Sequence, residues 1–518
     1  MCRMSGFTVA ALIQGTALRS PNTVAIVAPD GSEQTYADLL TTGRRLGNAL
    51  LATGLAPGDR IAAWMEDSLE YVQVYVACAL AGLVVVPINA RLTHHEATHL
   101  VSDSGARVLL FTGGLSGHVA SLTSVVPDLA LVSTVADPQA PTTLSELVAS
   151  GSDDVQPAPS PDDLYMIGYT SGTTGLPKGA MLTQGSVAAL ARLNAQSYRL
   201  ALGSICALTG SMSFVAVVPS HIISHFYVGG TVRILGSWDV ASLIDTIERH
   251  RITFTYLPSP VLGEFAEKAA ADPARLSSLL SVLHSASKAS LEKLRAVADV
   301  IGGVLIEGLG MTENSGGLVT VTSPSDIRLE PGRPDRLASV GRAVQETLVE
   351  VLAPDGKPVP HDGVSVGEIV VSSPALLVGY WNRPEATADA LRDGWYFTGD
   401  LGSLDAEGYL VISERRVDLI VSGGMNVYPS EVEEVIMRVP GVVSCAVVGL
   451  PHERWGQSVV AAVVVDPAVV VTEDQILQMC REYLASYKKP TRVQFLDSMP
   501  TTTSLKISRS RVRDSLAT

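Results

Sequence analysis

A short apolar run, Asp163-Leu164-Tyr165-Met166-Ile167-Gly168-Tyr169, stops at the decapeptide T-S-G-T-T-G-L-P-K-G, residues 170–179. Few folds have a use for such a segment. Gly172, Gly175 and Gly179 let the backbone bend and approach a ligand closely. Thr170, Ser171, Thr173 and Thr174 supply hydroxyl donors, and successive backbone N–H groups can form an anion-binding nest. Lys178 adds a compact point charge suited to a polyphosphate. A P-loop requires G-x-x-x-x-G-K-[ST] opening a helix. Here Pro177 precedes the lysine and Gly179 follows it, leaving no hydroxyl in the magnesium position of that motif. A plain Gly/Ser/Thr surface linker leaves the strand and the lone lysine without a reason. The segment reads as a strand feeding a mobile phosphate-holding loop.

At 518 residues the chain is too long for one ordinary core, so two or more domains are expected. Hydrophobic residues make up 47% and charged residues 17%, a globular composition. The net charge of −15 argues against a nucleic-acid surface, which needs clustered Lys and Arg. Lys488, Lys489, Arg492, Lys506, Arg509, Arg511 and Arg513 do cluster near the C-terminus. They read as a solvated face or as a site for a small anion. Five scattered cysteines without C-x-x-C spacing give no disulfide framework or zinc site, and fit a reducing compartment. The N-terminal apolar stretch reads as an amphipathic helix, not a signal peptide. The run from Val74 is shorter than the roughly 20 residues a membrane span needs. It reads as a buried helix entering a buried strand, and a cytoplasmic protein is expected.

Strand-like runs such as R-I-A-A-W-M, L-V-V-V-P-I, R-V-L-L-F, T-V-R-I-L and I-T-F-T-Y-L-P alternate with helical spacing, which implies βαβ units and parallel sheets. From about Val340 strands are joined by turns such as P-D-G, the texture of an antiparallel sheet or small barrel. After Arg415 a Gly-Gly loop leads to a helix opened by Pro429, and the last hundred residues read as a small α+β domain.

Beyond the first loop, L-G-M-T-E from Leu309, G-W-Y-F-T-G-D from Gly394, E-R-R-V-D-L-I-V-S-G-G-M-N-V-Y-P-S-E-V-E from Glu414 and P-T-T-T-S-L-K-I from Pro500 occur in this order. With Y-A-D-L-L, P-G-D-R-I and G-Y-W-N-R-P-E-A-T, they make the whole chain resemble the adenylate-forming superfamily of acyl-CoA synthetases, aryl-CoA ligases, nonribosomal adenylation domains and beetle luciferase. The resemblance implies an α/β fold. Residues 1–415 would form a large N-terminal domain of mixed parallel sheets with flanking helices and a small β-barrel-like subdomain, and 416–518 a mobile α+β domain.

It also implies chemistry: a carboxylate attacks the α-phosphorus of ATP, giving an acyl-adenylate and pyrophosphate, and a thiol then takes the acyl group. By resemblance Thr170, Ser171, Gly172, Thr173, Thr174, Gly175 and Lys178 would hold the β- and γ-phosphates. Thr170 and Glu313 would help hold Mg2+, and Thr312 would contact the α-phosphate. Gly308 and Leu309 would flank the nucleotide. Asp400 and Arg415 would bind the ribose, a carboxylate suiting a cis-diol. Lys506 would bridge the attacking carboxylate and the α-phosphate. Val417 stands at the hinge, and Gly423 and Gly424 would reach the tunnel of the thiol. The implied acceptor is CoA, with the phosphopantetheine of a carrier protein as the alternative, and a non-catalytic acyl or nucleotide sensor as a third reading.

Several positions depart from the family pattern. Val417 replaces the usual Asp or Lys, Leu309 an adenine-stacking aromatic residue, and Leu505 the glycine before the catalytic lysine. Phe214 stands where many relatives carry a histidine. Val215 replaces the aspartate that pairs an amino-acid ammonium, which disfavours an α-amino acid. Lys288 in H-S-A-S-K-A and His221 are further acyl-pocket candidates, leaving aryl, alkyl or non-standard oxyanion substrates open. H-E-A-T-H from His95 matches a zinc-protease pattern, but reads as a scaffold helix without a third ligand. His221 and His225 read as core or pocket residues one helical turn apart. Glu431, Glu433 and Glu434 read as first-turn helix charges.

Overall fold

The computed structural model describes residues 7–92, 94–170, 177–285, 289, 291–327, 336–415, 420–422, 425–427, 429–452, 455–484, 488–501 and 507–517. The chain forms two compact units, one of residues 1–172, 176–349 and 371–396, the other of 173–175, 350–370 and 397–518. The boundary read from the sequence at 415/416 therefore falls inside the second unit.

The first unit contains two large sheets. Their strands are β1 Val24–Val27, β2 Glu33–Thr35, β3 Arg60–Trp64, β4 Val84–Ile88, β5 Val108–Phe111, β6 Ala130–Ser133, β7 Thr142–Thr143, β8 Leu164–Thr170, β9 Lys178–Thr183, β10 Ile205–Leu208, β11 Thr231–Ile234, β12 Phe254–Tyr256, β13 Ser281–Ser285 and β14 Leu305–Gly308. One sheet runs β14-β13-β12-β10-β11-β1-β2 and is parallel except where β2 joins. The other continues from Gly379–Tyr380 through β9-β8-β4-β3-β5-β6-β7, parallel from β8 to β7. The expected βαβ strands all form. The five residues of β4 are buried, as a strand covered on both faces should be.

The helix Leu69–Ala81 explains the long apolar run. It is buried on every side from Tyr71 onward, so it needs no polar face. It packs against Tyr36–Ala52, where a Cβ on Gly43 would lie 2.5 Å from Val76 Cγ1; glycine is what permits this approach. The helix Tyr36–Ala52 starts in a capping box, Thr35 accepting from Asp38 N while the Asp38 carboxylate accepts from Thr35 N. A single large core joins these helices to residues of both sheets.

In the second unit residues 400–404 pair antiparallel with Leu410–Arg415, in a sheet that is open among the described residues and not a closed barrel. A long antiparallel hairpin, Val442–His452 with Gly456–Val465, is extended from its second strand, which pairs antiparallel with Ile420–Ser422 and in parallel with Arg492–Phe495. Helices Pro429–Ile436 and Glu473–Tyr483 share a core with one face of this sheet, and Arg509–Ala517 with residues of the other. The basic C-terminal cluster is partly internal, not simply a solvated face. Arg509 Nη2 donates to both Glu433 oxygens at 2.8 and 2.7 Å, Arg492 donates to Leu516 O and Arg511 to Thr501 O. Glu433 also accepts from Val447 N at 2.8 Å, so this carboxylate ties elements together beyond complementing a helix dipole.

No described helix is long and apolar enough to cross a membrane, and no described group of His, Cys, Asp and Glu could hold a metal on its own. His94–Ser104 is a helix, as read for the H-E-A-T-H segment. The described cysteines are buried and form no disulfide.

Candidate active site

Strand β8 turns back on itself as β9, with Thr170 and Lys178 as opposed residues at the open end of the ladder. Thr170 Oγ1 donates to Lys178 O at 3.5 Å. The glycine-rich segment therefore leaves and re-enters the same sheet, with a hydroxyl on one rim and an ammonium on the other. Lys178 Nζ lies 5.5 Å from the centre of the Tyr380 ring, within cation–π range. The Tyr380 hydroxyl donates to Glu313 Oε1 at 3.0 Å and lies 3.2 Å from the Tyr396 hydroxyl.

Backbone contacts hold this group in place. Trp381 N donates to Gly179 O, Val378 N to Met181 O and Leu377 N to Glu313 O. The segment 377–381 is thus stitched to β9 and to the turn carrying Glu313. Asp103 accepts from the Tyr169 hydroxyl at 2.7 Å and pairs with Arg383 at 2.8 Å, while its carbonyl accepts from Trp381 Nε1. Burial, with the hydrogen bond to Asp103 next, pushes the Tyr169 phenol well above its usual range, so it remains a donor.

Thr312 and Glu313 lie in a 3-10 turn, Thr312–Asn314, just after β14. Ser315 and Gly316 follow with φ of +53° and +81°, reversing the chain. A Cβ on Gly316 would stand 2.5 Å from Ala216 Cα, so the turn lies directly on the segment carrying Phe214 and Val215. Ser220 Oγ donates to Gly316 O at 2.9 Å. Val215 is buried and packs where a Cβ on Gly168 would fall, whereas Phe214 is only half-buried. Leu309 is half-buried, its N–H donating to Thr320 Oγ1 at 3.2 Å.

His221 does not lie on the α-helix read from the sequence. Val218–Ile223 is a π-helical turn that passes into the α-helix Ser224–Val228, a local widening common near functional sites. The His221 ring lies between Phe254 and Tyr256, with centroids 5.4 and 6.0 Å away. His225 Nδ1 donates to His221 O at 2.6 Å. Burial lowers His221 to about 3, with His225 adding to the shift, and burial lowers His225 to about 4. Both are neutral pocket or core residues at pH 7.

Asp400 and Arg415 belong to the second unit, where they are directly opposed on antiparallel strands. Asp400 N donates to Thr398 Oγ1, which itself donates to Ile369 O. Ser171, Gly172, Thr173, Thr174, Gly175, Lys288, Val417, Gly423, Gly424 and Lys506 lie outside the described residues. The structure thus joins Thr170, Lys178 and Glu313 through Tyr380, a residue the sequence reading did not single out. Its segment, G-Y-W-N-R-P-E-A-T, reads in the sequence only as part of the family's frame.

Two parallel sheets, a hydroxyl-and-lysine hairpin and a glutamate turn beside it define an adenylate-forming enzyme. The chain matches the AMP-binding enzyme model over residues 13–381 and the AMP-binding enzyme C-terminal domain model over residues 431–506, and it belongs to that family. It is 35% identical to feruloyl-CoA synthase of Amycolatopsis sp, across 95% of this chain and 96% of that protein. It is likewise 35% identical to the long-chain-fatty-acid–CoA ligase FadD13 of Mycobacterium tuberculosis, across 97% of both. The crystal structure of ATP-bound MatB from Rhodopseudomonas palustris superposes with a TM-score of 0.87 at 28% identity, covering 98% of this chain and 99% of that one.

Proposed function

We propose that this protein is an ATP-dependent acid–thiol ligase that activates a carboxylic acid as its acyl-adenylate and transfers the acyl group to CoA. The observation that carries the reading is the Thr170–Lys178–Tyr380–Glu313 group, a cation and a carboxylate held at the mouth of one loop. Adenylation brings two anions together and releases a third, so fixed donors must stand where that charge gathers. Lys178 supplies positive charge for the departing pyrophosphate, and the loop amides and hydroxyls of 171–175 supply hydrogen bonds to it. Thr312 serves the α-phosphate, Asp400 and Arg415 the ribose, and Lys506 the carboxylate that attacks.

The hydroxyl of Thr170 and the carboxylate of Glu313 are hard oxygen donors, and Tyr380 keeps the latter oriented. They suit Mg2+, which is usually held by one or two carboxylates together with substrate phosphates. Bound there, the ion would neutralise phosphate charge. Residues 416–518, carrying Lys506, Val417, Gly423 and Gly424, would act as the mobile part, presenting the lysine for adenylation and the glycines for thioester formation. Phe214, Val215, His221 and Lys288 would border the acyl group. The names of these two relatives, one of an aryl-propenoic and one of a long-chain acid, both joined to CoA, support CoA as acceptor.

The test is pyrophosphate release across a panel of aryl, alkyl and hydroxylated acids, with and without CoA. Release with one acid and ATP, followed by thioester only when CoA is added, is the expected outcome. Thioester formed only on a carrier protein moves the acceptor. Absence of release with every acid removes the ligase reading in favour of a sensor.

A further inference from the structure

The segment 211–216 follows the carboxyl end of β10 and carries Phe214 and Val215, yet it lies in neither a strand nor a helix. It runs in two successive turns, closed by Phe214 N donating to Ser211 O at 3.0 Å and Val217 N donating to Phe214 O at 2.9 Å. Met212, inside the first turn, is fully buried, so its own backbone groups need partners from elsewhere. Two side chains supply them. Met212 N donates to Asp67 Oδ1 at 2.8 Å, and Met212 O accepts from the Tyr75 hydroxyl at 2.9 Å. Ser211 Oγ donates to the same Asp67 oxygen at 3.0 Å.

Asp67 stands in the loop after β3, and Tyr75 on the helix Leu69–Ala81 that follows that loop. β3 and β10 belong to different sheets. The clamp therefore joins loops at the carboxyl ends of both sheets, the edge where parallel α/β folds bind ligands. Tyr75 is itself immobilised. Its ring stacks on Tyr71 with centroids 5.2 Å apart, and its carbonyl accepts from the Tyr165 hydroxyl of β8 at 3.2 Å. All three tyrosines are fully buried. Burial lifts the Asp67 carboxyl above its ordinary range, and the bonds from Met212 and Ser211 oppose that rise. Desolvating a carboxylate is unfavourable where an apolar side chain could simply pack, so the placement of its oxygen is what this position supplies.

The phosphate side has supports of its own, in the β8–β9 ladder at Thr170 and in the Tyr380 bond to Glu313. Phe214 has the clamp. We propose that Asp67 and Tyr75 are positioning residues for the acid: by holding both backbone groups of Met212 they fix where Phe214 stands against the acyl group, and so the size of acid accepted. Both act through the loop and not on the reacting atoms. This rests on the ligase reading and names the residues that govern its selectivity. Because both bonds to Asp67 land on Oδ1, the residue acts as a placed acceptor and not as a charge. Asparagine can put an amide oxygen there, whereas alanine cannot.

The test measures kcat and KM for pyrophosphate release over homologous alkanoic and phenylalkanoic acids, in the wild type, Asp67→Ala, Asp67→Asn, Tyr75→Phe and Ser211→Ala. One methylene in a fitted pocket is worth about 10- to 200-fold in kcat/KM, and the wild type should discriminate on that scale. Asp67→Ala and Tyr75→Phe should bring the ratio between the preferred acid and its next homologue toward one and raise KM for the acid, with KM for ATP held within about twofold. Asp67→Asn should restore the wild-type ratio. A merely structural role would lower kcat for every acid alike, through loss of folded protein, and leave the ratio and both KM values unmoved. Ser211→Ala removes one bond to Asp67 from a half-buried position, so it reads the same effect, in smaller measure, should a larger change unfold the protein. A wild type indifferent to acid size, a ratio unmoved in the folded variants, or an Asp67→Asn that fails to restore it overturns the proposal while the ligase reading stands. Absence of release with any acid overturns the ligase reading and this one with it.

Discussion

The ammonium of Lys178 lies 5.5 Å from the centre of the Tyr380 ring, and the hydroxyl of that ring donates to Glu313. One aromatic side chain thus spaces the cation from the carboxylate, where a direct ion pair would have cancelled both. Tyr380→Phe keeps the ring beneath Lys178 and removes the donor to Glu313. A hydrogen bond to a charged group contributes about 1.5–3 kcal/mol, so pyrophosphate release should fall about tenfold or more. Tyr380→Leu, which also removes the ring face, should fall further. Unchanged kinetics in Tyr380→Phe would show that Glu313 does not depend on it.

Lys506→Ala should lose pyrophosphate release by about a hundredfold or more, the scale of removing one charge-stabilising group from a reaction centre. The thioester-forming step, measured from supplied acyl-adenylate and CoA, should be far less affected, because that lysine is assigned to the first half-reaction alone. Equal losses in both steps would contradict the assignment.

The buried histidines make a prediction about pH. The unfolded chain gains protons on His221 and His225 near their ordinary value of 6.5, whereas in the folded protein burial holds them neutral down to about 3 and 4. The unfolded state therefore binds more protons between those limits, and stability falls as pH drops below about 6.5. Each histidine contributes about 1.4 kcal/mol per pH unit in that window. Urea unfolding at pH 7, 6 and 5 should show this slope, and His225→Gln should reduce it. An identical slope in the variant would mean that other groups govern it.

Gly316 combines a φ of +81° with a Cβ position 2.5 Å from Ala216 Cα. Gly316→Ala has backbone, not a flexible side chain, to displace, at a cost of about 1–3 kcal/mol. The urea midpoint should fall, and adenylation should fall further than stability alone explains, since the turn carries Thr312 and Glu313. Retained adenylation in the folded variant would separate that turn from the site.

Local pattern made much of the fold legible. The apolar runs at Arg60, Val84, Val108 and Thr231 became strands because their β-branched and apolar residues fit parallel sheets, and the run ending at Tyr169 reads as a strand feeding a loop, whereas the return of the chain as a paired strand from Lys178 does not show in the sequence. What stayed hidden was long-range or isoperiodic. Tyr380 meets Glu313 across 67 residues, and nothing in either neighbourhood announces the other. The π-turn at His221 inserts a slightly wider helical turn without changing the apolar pattern that suggested a helix. His284 and Glu307 come from two strands and Ser259 from the turn after a third, and only the order of the sheet makes them neighbours. Arg509 and Glu433, read apart as a solvated base and a helix charge, answer each other because a terminal helix docks on the hairpin.

The pairing of Thr170 with Lys178 fixes both ends of the intervening segment to one sheet. The entropy of closing that loop is therefore lost once, during folding, and not again at each turnover. The positive charge of Lys178, rooted in that ladder, keeps its mooring throughout.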